Sequence, residues 1–341
     1  MEQDAIPDGI RALARAHGGI ATLDVTGLRK LQGGNSSEIW AFDGRWVENG
    51  IEIERPLVLR SGMENEFAFG GRGAEFAVLK ALEGSDVPAP GAYWFDADGA
   101  FLGRPSMVTD RCPGAADRNL MNGRNKLGLT QHSRVAIGEQ MMDLLARLHA
   151  VDGSAIAGGD TASGWLSVED QLRQHDEAIA RLEVEPMVEL RYASWWLWRN
   201  LPPPVDRPAI VHGDYRPANM LVEGARVSAM LDWEFTHLGD PVEDLGWYLT
   251  PFYAAEHLIP GVFGPEEALQ RYEAARGEPV NRATVQFWSV FAMYKLAYMT
   301  VAALRWLVDG DASRMAASAE FIIHPLLTAI GAPVADKELA A

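Results

Sequence analysis

Apolar residues follow two rhythms along the chain. Up to about residue 110 they come mostly in short runs suited to strands, and beyond residue 114 the spacing of amphipathic helices takes over. Residues 7–18 read as a short helix closed by the pair Gly18-Gly19. Residues 28–42 read as strand, glycine-rich turn and strand, with Gly33, Gly34, Ser36 and Ser37 at the turn. Residues 56–60 predict the next strand. Residues 69–82 predict a helix with Phe76, Leu79 and Leu82 on its apolar face, stopped by Pro88-Ala89-Pro90. Two further strands, 93–95 and 106–109, flank the turn Asp96-Ala97-Asp98-Gly99. In the second regime, residues 131–150 set Val135, Met141, Met142, Leu144, Leu145 and Leu148 on a broad helical face. Helices are also predicted at 169–181, 186–200, near Tyr248, and at 265–276, 289–308 and 321–330. One stretch breaks the helical rhythm: two short apolar-flanked segments joined by Glu223-Gly224-Ala225-Arg226, the pattern of a β-hairpin. The expected class is α+β, a small β-rich part followed by a larger helical one.

Polar chemistry concentrates around that hairpin. Before it stands His212-Gly213-Asp214-Tyr215-Arg216-Pro217-Ala218-Asn219, and after it Asp232-Trp233-Glu234 and Gly239-Asp240-Pro241-Val242-Glu243-Asp244-Leu245. A metal–phosphate site needs oxygen ligands for a hard cation and one carboxylate free to orient an attacking hydroxyl. Asp214, Asn219 and Asp232 can supply those groups. A single acid here reads equally well as a solvated or capping carboxylate; three such groups beside apolar runs do not.

The ordered wording His-Gly-Asp, Asn219, Asp-Trp-Glu, Gly-Asp-Pro and Asp244-Leu245 resembles the aminoglycoside phosphotransferase family, the small-molecule branch of the protein-kinase-like fold. It is closest to the subgroup that also occurs fused to acyl-CoA dehydrogenases. The resemblance implies a two-lobe fold, with residues 1–110 as a nucleotide-binding lobe and 111–341 as a helical lobe carrying the catalytic loop and acceptor site. It implies ATP and Mg2+ as cofactors and a small-molecule hydroxyl as acceptor. Asp214 would be the catalytic carboxylate, Asn219 and Asp232 the magnesium ligands and His212 a support of the loop. Gly33, Gly34, Ser36 and Ser37 would hold phosphate, although an ordinary hairpin turn also explains the glycine pair, and the subgroup usually has Asn where this chain has Ser37. Arg60 stands where many relatives carry Lys, and would bind the α- and β-phosphates while Glu75 pairs with it. The backbones of Asp110 and Cys112 would meet adenine. Glu234 is open between a metal-bound water and a brace of the loop. Asp240 and Asp244 are expected to satisfy backbone N–H groups behind the site.

Composition narrows the setting. The 341 residues are 48% apolar and 23% charged, which is globular. The net charge of −17 is concentrated after residue 150, disfavouring nucleic acid as a partner; it reads either as a solubilising surface or as steering for cationic ligands. The single cysteine, Cys112, excludes an intrachain disulfide and a cysteine metal cluster. The acidic start Met1-Glu2-Gln3-Asp4 lacks signal-peptide character, so a cytoplasmic location is expected. Residues 289–308 are apolar but interrupted by Lys295 and Arg305, which favours a buried helix over a membrane span. His149 is expected to be a buried hydrogen-bonded support. Of Trp195, Trp196 and Trp198, two are expected in the core and one along a groove. The acceptor is open between a cationic antibiotic, which the acidic C-terminal part suits, and a hydroxyacyl-CoA or related metabolite. The latter would need Arg173, Arg181, Arg191 or Arg199 for its phosphates. A non-catalytic nucleotide- or partner-binding kinase fold is the competing class.

Overall fold

The computed structural model describes residues 3–31, 38–62, 71–153, 167–309 and 319–331. Gly33, Gly34, Ser36 and Ser37 lie outside them. The chain forms two compact units, one of residues 1–116, 151–164 and 219–237, the other of 117–150, 165–218 and 238–341. This differs from a division at 110/111. The hairpin following the His-Gly-Asp segment belongs to the first unit, because its backbone is bonded there. Ala115 and Val222 exchange hydrogen bonds at 3.1 and 3.0 Å, and Met230 N donates to the Pro88 carbonyl at 2.7 Å.

In the first unit, helix α1 (Ile6–Gly18) precedes strands β1 (Leu23–Lys30), β2 (Glu38–Glu48) and β3 (Ile51–Ser61). Helix α2 (Gly71–Leu82) and strands β4 (Ala92–Asp96) and β5 (Ser106–Asp110) follow. The antiparallel sheet has the order β1-β2-β3-β5-β4. Helical spacing brings Ile6, Ile10 and Leu13 onto one face of α1, where they pack with Trp40, Phe42, Leu57 and Leu59. Each such burial contributes roughly 1.5–3 kcal/mol. Strand alternation then matters for function: with Leu57 and Leu59 committed to this core, Arg60 is turned to the opposite face of β3.

The second unit is helical: α3 (Gln131–Leu148), α4 (Val168–Leu182), α5 (Val188–Arg199), α6 (Val242–Tyr248), α7 (Pro265–Arg276), α8 (Arg282–Val308) and α9 (Ala319–Ile330). Its core gathers around α8, where Phe287, Trp288, Phe291 and Met293 meet Leu172 and Ile179 of α4, Leu190 and Leu197 of α5, and Leu326 of α9. By length and composition α8 could cross a membrane, yet 83% of its most apolar window is buried within the protein. The tryptophans of α5 depart from expectation. Trp196 packs against the core, whereas Trp195 and Trp198 are exposed. The core face of α5 is taken by Leu190, Ala193 and Leu197, which turns residues 195 and 198 outward.

Candidate active site

In the second unit, the His-Gly-Asp segment is held from behind by one buried carboxylate. Asp244 Oδ2 accepts the His212 backbone N–H at 2.8 Å, and Oδ1 accepts that of Gly213 at 2.9 Å. His149, also buried, lies with Nε2 3.2 Å from Asp244 Oδ2 and Nδ1 2.8 Å from the Tyr272 hydroxyl. The Asp214 amide donates to His212 Nδ1 at 3.3 Å, which requires that nitrogen to be unprotonated. The His212 ring is fully buried and meets Tyr215 edge-on, while the Tyr215 hydroxyl donates to the Met141 carbonyl at 2.5 Å. Asp214 itself is buried, with Oδ2 3.1 Å from Arg216 Nε. The Arg216 guanidinium in turn lies over the Tyr253 ring at 5.8 Å. The sequence signal for Arg216 is only its place as a cation two residues beyond the loop aspartate. Asp240 Oδ1 accepts from Val242 N at 2.9 Å and Oδ2 from the Trp288 indole at 2.8 Å, and burial raises its pKa. Asp240 therefore pins the start of α6 to α8.

The first unit holds the other polar groups. Arg60 pairs with Glu75 of α2 through Nη1, and Nη2 lies 3.5 Å from Asp232 Oδ1. Glu75 is almost wholly buried, which pushes its pKa up against the pull of Arg60, while Glu75, Asp232 and Glu234 all raise that of Arg60. Leu231 N donates to the Asn219 carbonyl at 2.8 Å, next to the Met220–Met230 pair, so Asn219 and Asp232 stand at the same end of the hairpin. Trp233 is buried with its indole donating to the Met230 carbonyl at 3.0 Å, anchoring the turn. Asp232 takes φ +67°, a left-handed backbone conformation uncommon for non-glycine residues but adopted more readily by aspartate and asparagine than by most.

Among the described residues no three His, Cys, Asp or Glu side chains converge as a metal cluster. Magnesium takes one or two protein oxygen ligands and leaves its remaining positions to phosphate oxygens and water. An Asn219 amide oxygen and the partly exposed Asp232 carboxylate fit such a role.

The predicted adenine contacts also lie in the first unit. Asp110 N donates to the Gly91 carbonyl at 2.9 Å and Arg111 N to the Pro56 carbonyl at 3.0 Å, at the end of β5. The Asp110 carboxylate has a local task, accepting from Gly91 N at 3.0 Å and the Tyr93 hydroxyl at 2.9 Å. Burial, with Asp110 nearby, pushes the Cys112 thiol up to about 11.

Comparison with known proteins places these features in context. Mouse (Mus musculus) acyl-CoA dehydrogenase family member 10 is 29% identical over 181 residues, covering 52% of this chain and 16% of its own. Human (Homo sapiens) acyl-CoA dehydrogenase family member 11 is 26% identical over 270 residues, covering 74% and 34%. The chain thus spans about a third or less of the length of these relatives. Among solved structures, a Ralstonia eutropha JMP134 protein assigned as an aminoglycoside phosphotransferase superposes with a TM-score of 0.74 at 24% identity, covering 95% of this chain and 98% of that one. Aminoglycoside phosphotransferase APH(4)-Ia, in ternary complex with ADP and hygromycin B, gives 0.63 at 16% identity, covering 95% and 98%. Macrolide 2'-phosphotransferase MphH of Brachybacterium faecium gives 0.57 at 22%, covering 96% and 100%. These likenesses show the fold, a small antiparallel-sheet part followed by a mostly helical remainder, as in the aminoglycoside phosphotransferases. The model of the phosphotransferase enzyme family matches residues 55–288, from β3 into α8, and the chain belongs to that family.

Proposed function

We propose that this phosphotransferase moves the γ-phosphate of Mg·ATP to a hydroxyl of a small molecule, with Asp214 orienting that hydroxyl and taking its proton. The observation that carries the reading is the way Asp214 is held: its loop amides are fixed by buried Asp244, and its carboxylate is steadied by Arg216. Little covalent help is needed in phosphoryl transfer, where catalysis comes from positioning and electrostatic stabilisation, and a rigidly presented carboxylate contributes to the first. The acceptor oxygen forms a bond to phosphorus as the bond to ADP breaks, and the hydroxyl proton passes to Asp214. Magnesium, when bound, would neutralise phosphate charge; Asn219 and Asp232 are the residues that would hold it. Arg60, braced by Glu75, supplies a guanidinium for the nucleotide phosphates, and the Asp110 carbonyl and Cys112 amide would meet adenine. Neighbours solved with ADP or an ATP analogue and hygromycin B support a nucleotide donor and a small-molecule acceptor.

The acceptor class is tested by coupled ADP release with Mg·ATP against two panels, aminoglycosides or macrolides and short hydroxyacyl-CoAs. Asp214→Asn keeps size and hydrogen-bonding reach but removes the base. Turnover should fall by about 10²–10⁴-fold with nucleotide affinity kept. Near-normal turnover in this variant would sink the assignment of Asp214.

A further inference from the structure

Three side chains in the second unit form a buried polar ring that the transfer reading does not use. Lys295 of α8 donates to Glu243 of α6 at 2.5 Å and to the Gln171 amide oxygen of α4 at 3.0 Å. The other end of that amide, Gln171 Nε2, donates to Glu243 Oε2 at 3.2 Å. The Lys295 ammonium also lies over the Phe291 ring at 4.8 Å. Gln171 and Glu243 are buried and the Lys295 side chain is only 12% exposed, so three helices are joined through groups taken out of water.

Such a ring is an inefficient way to add stability, because the desolvation of a buried ion pair largely cancels its attraction. Its position suggests another use. Glu243 and Asp244 are consecutive residues of α6, and Asp244 holds the His212 and Gly213 amides. α6 has only seven residues, too short to fix its own placement. It is fastened to α8 at both ends. Asp240 accepts from Trp288, and at Gly246 a Cβ would come within 2.3 Å of the Trp288 Cβ and 2.6 Å of its backbone carbonyl carbon, so the two helices touch main chain to side chain with no room for a methyl group. Trp288 and Lys295 are seven residues apart and share one face of α8.

We propose that Gln171, Glu243 and Lys295 are positioning residues for phosphoryl transfer: they set α6 on α8, and α6 sets the Asp214 loop through Asp244. This inference rests on the transfer reading above. Its test is the fully apolar replacement Gln171→Leu, Glu243→Leu, Lys295→Met, which leaves no unpaired charge. The expected result is an unfolding midpoint at or above the parent's, an unchanged KM for Mg·ATP, and a kcat lowered by about tenfold to a hundredfold, the scale of a displacement near 1 Å. Lys295→Arg, which keeps the charge, should retain most of the kcat that Lys295→Met loses.

Amide hydrogen exchange gives a readout independent of activity: the His212 and Gly213 amides should exchange faster in the triple variant while α8 stays protected. An unchanged kcat with unchanged exchange overturns the proposal. So does a kcat loss accompanied by a lowered midpoint or lost nucleotide binding, which would make the ring merely structural. If the parent protein transfers phosphate to no acceptor, the transfer reading fails and exchange alone decides whether the ring positions the loop.

Discussion

Replacing Asp244 by Asn tests whether the loop is held as the geometry indicates. The aspartate accepts from two backbone amides, at 2.8 and 2.9 Å, and lies in a fully buried site beside His149. Asparagine has the same shape but one acceptor oxygen. Turned one way, its NH2 meets Gly213 N–H; turned the other, it meets His212 N–H, so one buried donor is orphaned in either orientation. An unsatisfied buried donor costs about 1–3 kcal/mol, and the surviving bond loses roughly 1 kcal/mol when its acceptor is no longer charged. The sum, about 2–4 kcal/mol, corresponds in a chain of this length to a fall in unfolding midpoint of about 3–6 °C. Thermal unfolding followed by circular dichroism measures it, with Glu223→Gln on the exposed hairpin turn as a control expected to stay within about 0.5 kcal/mol. A midpoint for Asp244→Asn within about 1 °C of the parent would refute the reasoning, since the carboxylate would then not be holding those amides.

Two further predictions concern titration. Burial lowers the pKa of both His175 and His257 to about 4, from an ordinary value of 6.5. As pH falls below 6.5 the unfolded chain takes up protons that the folded one refuses, so stability is lost between pH 6.5 and 4; at pH 5 each histidine accounts for about 2 kcal/mol. The midpoint difference between pH 7.5 and 5 should therefore shrink in His175→Asn/His257→Asn, and an equal difference in both proteins would count against the burial argument. For Cys112, a thiol raised to about 11 leaves roughly one molecule in a thousand as thiolate at pH 8, so alkylation by iodoacetamide should be slow there and accelerate only above pH 10. Rapid labelling at pH 8 would contradict that environment.

Local signals account for much of what the sequence shows. The helix at 265–276 is framed by Pro265, a start signal, and Gly277, a stop signal, and its bounds are those of α7. Helix α8 begins earlier than the apolar run suggests, because the Asn281 side chain accepts from Ala283 N at 2.8 Å and opens the helix at Arg282. Strand β3 likewise begins at Ile51, five residues before the apolar run. Asn49 and Gly50, at φ +51° and +78°, form a tight turn that sets Glu48 opposite Ile51, and Asn-Gly is itself a strong hairpin signal. Residues 51–55 hide from an apolar-run reading because they are mostly exposed there. The outward tryptophans follow a different logic: period alone showed that three could not share one face, but which face is core depends on what α8 and α9 present to α5.

Partners at long range are the part of the site that no local pattern reveals. Between residues 214 and 244 the chain carries seven acidic side chains, a density that would be ruinous if several were buried without compensation. Asp214 finds its cation two residues away in Arg216, but Asp232 faces Arg60, Glu243 faces Lys295, and Asp240 takes the indole of Trp288. Asp244 is served by two main-chain amides of the motif itself together with the distant His149. The motif is therefore readable as a string of acids, whereas several of the side chains that make it tolerable come from outside it: Arg60 of β3, His149 just after α3, and Trp288 and Lys295 of α8. It follows that substitutions outside the motif should disturb the segments within it: loss of Arg60 removes a cation facing Asp232 of the hairpin, and loss of Trp288 or Lys295 removes one donor from Asp240 or Glu243 at the start of α6.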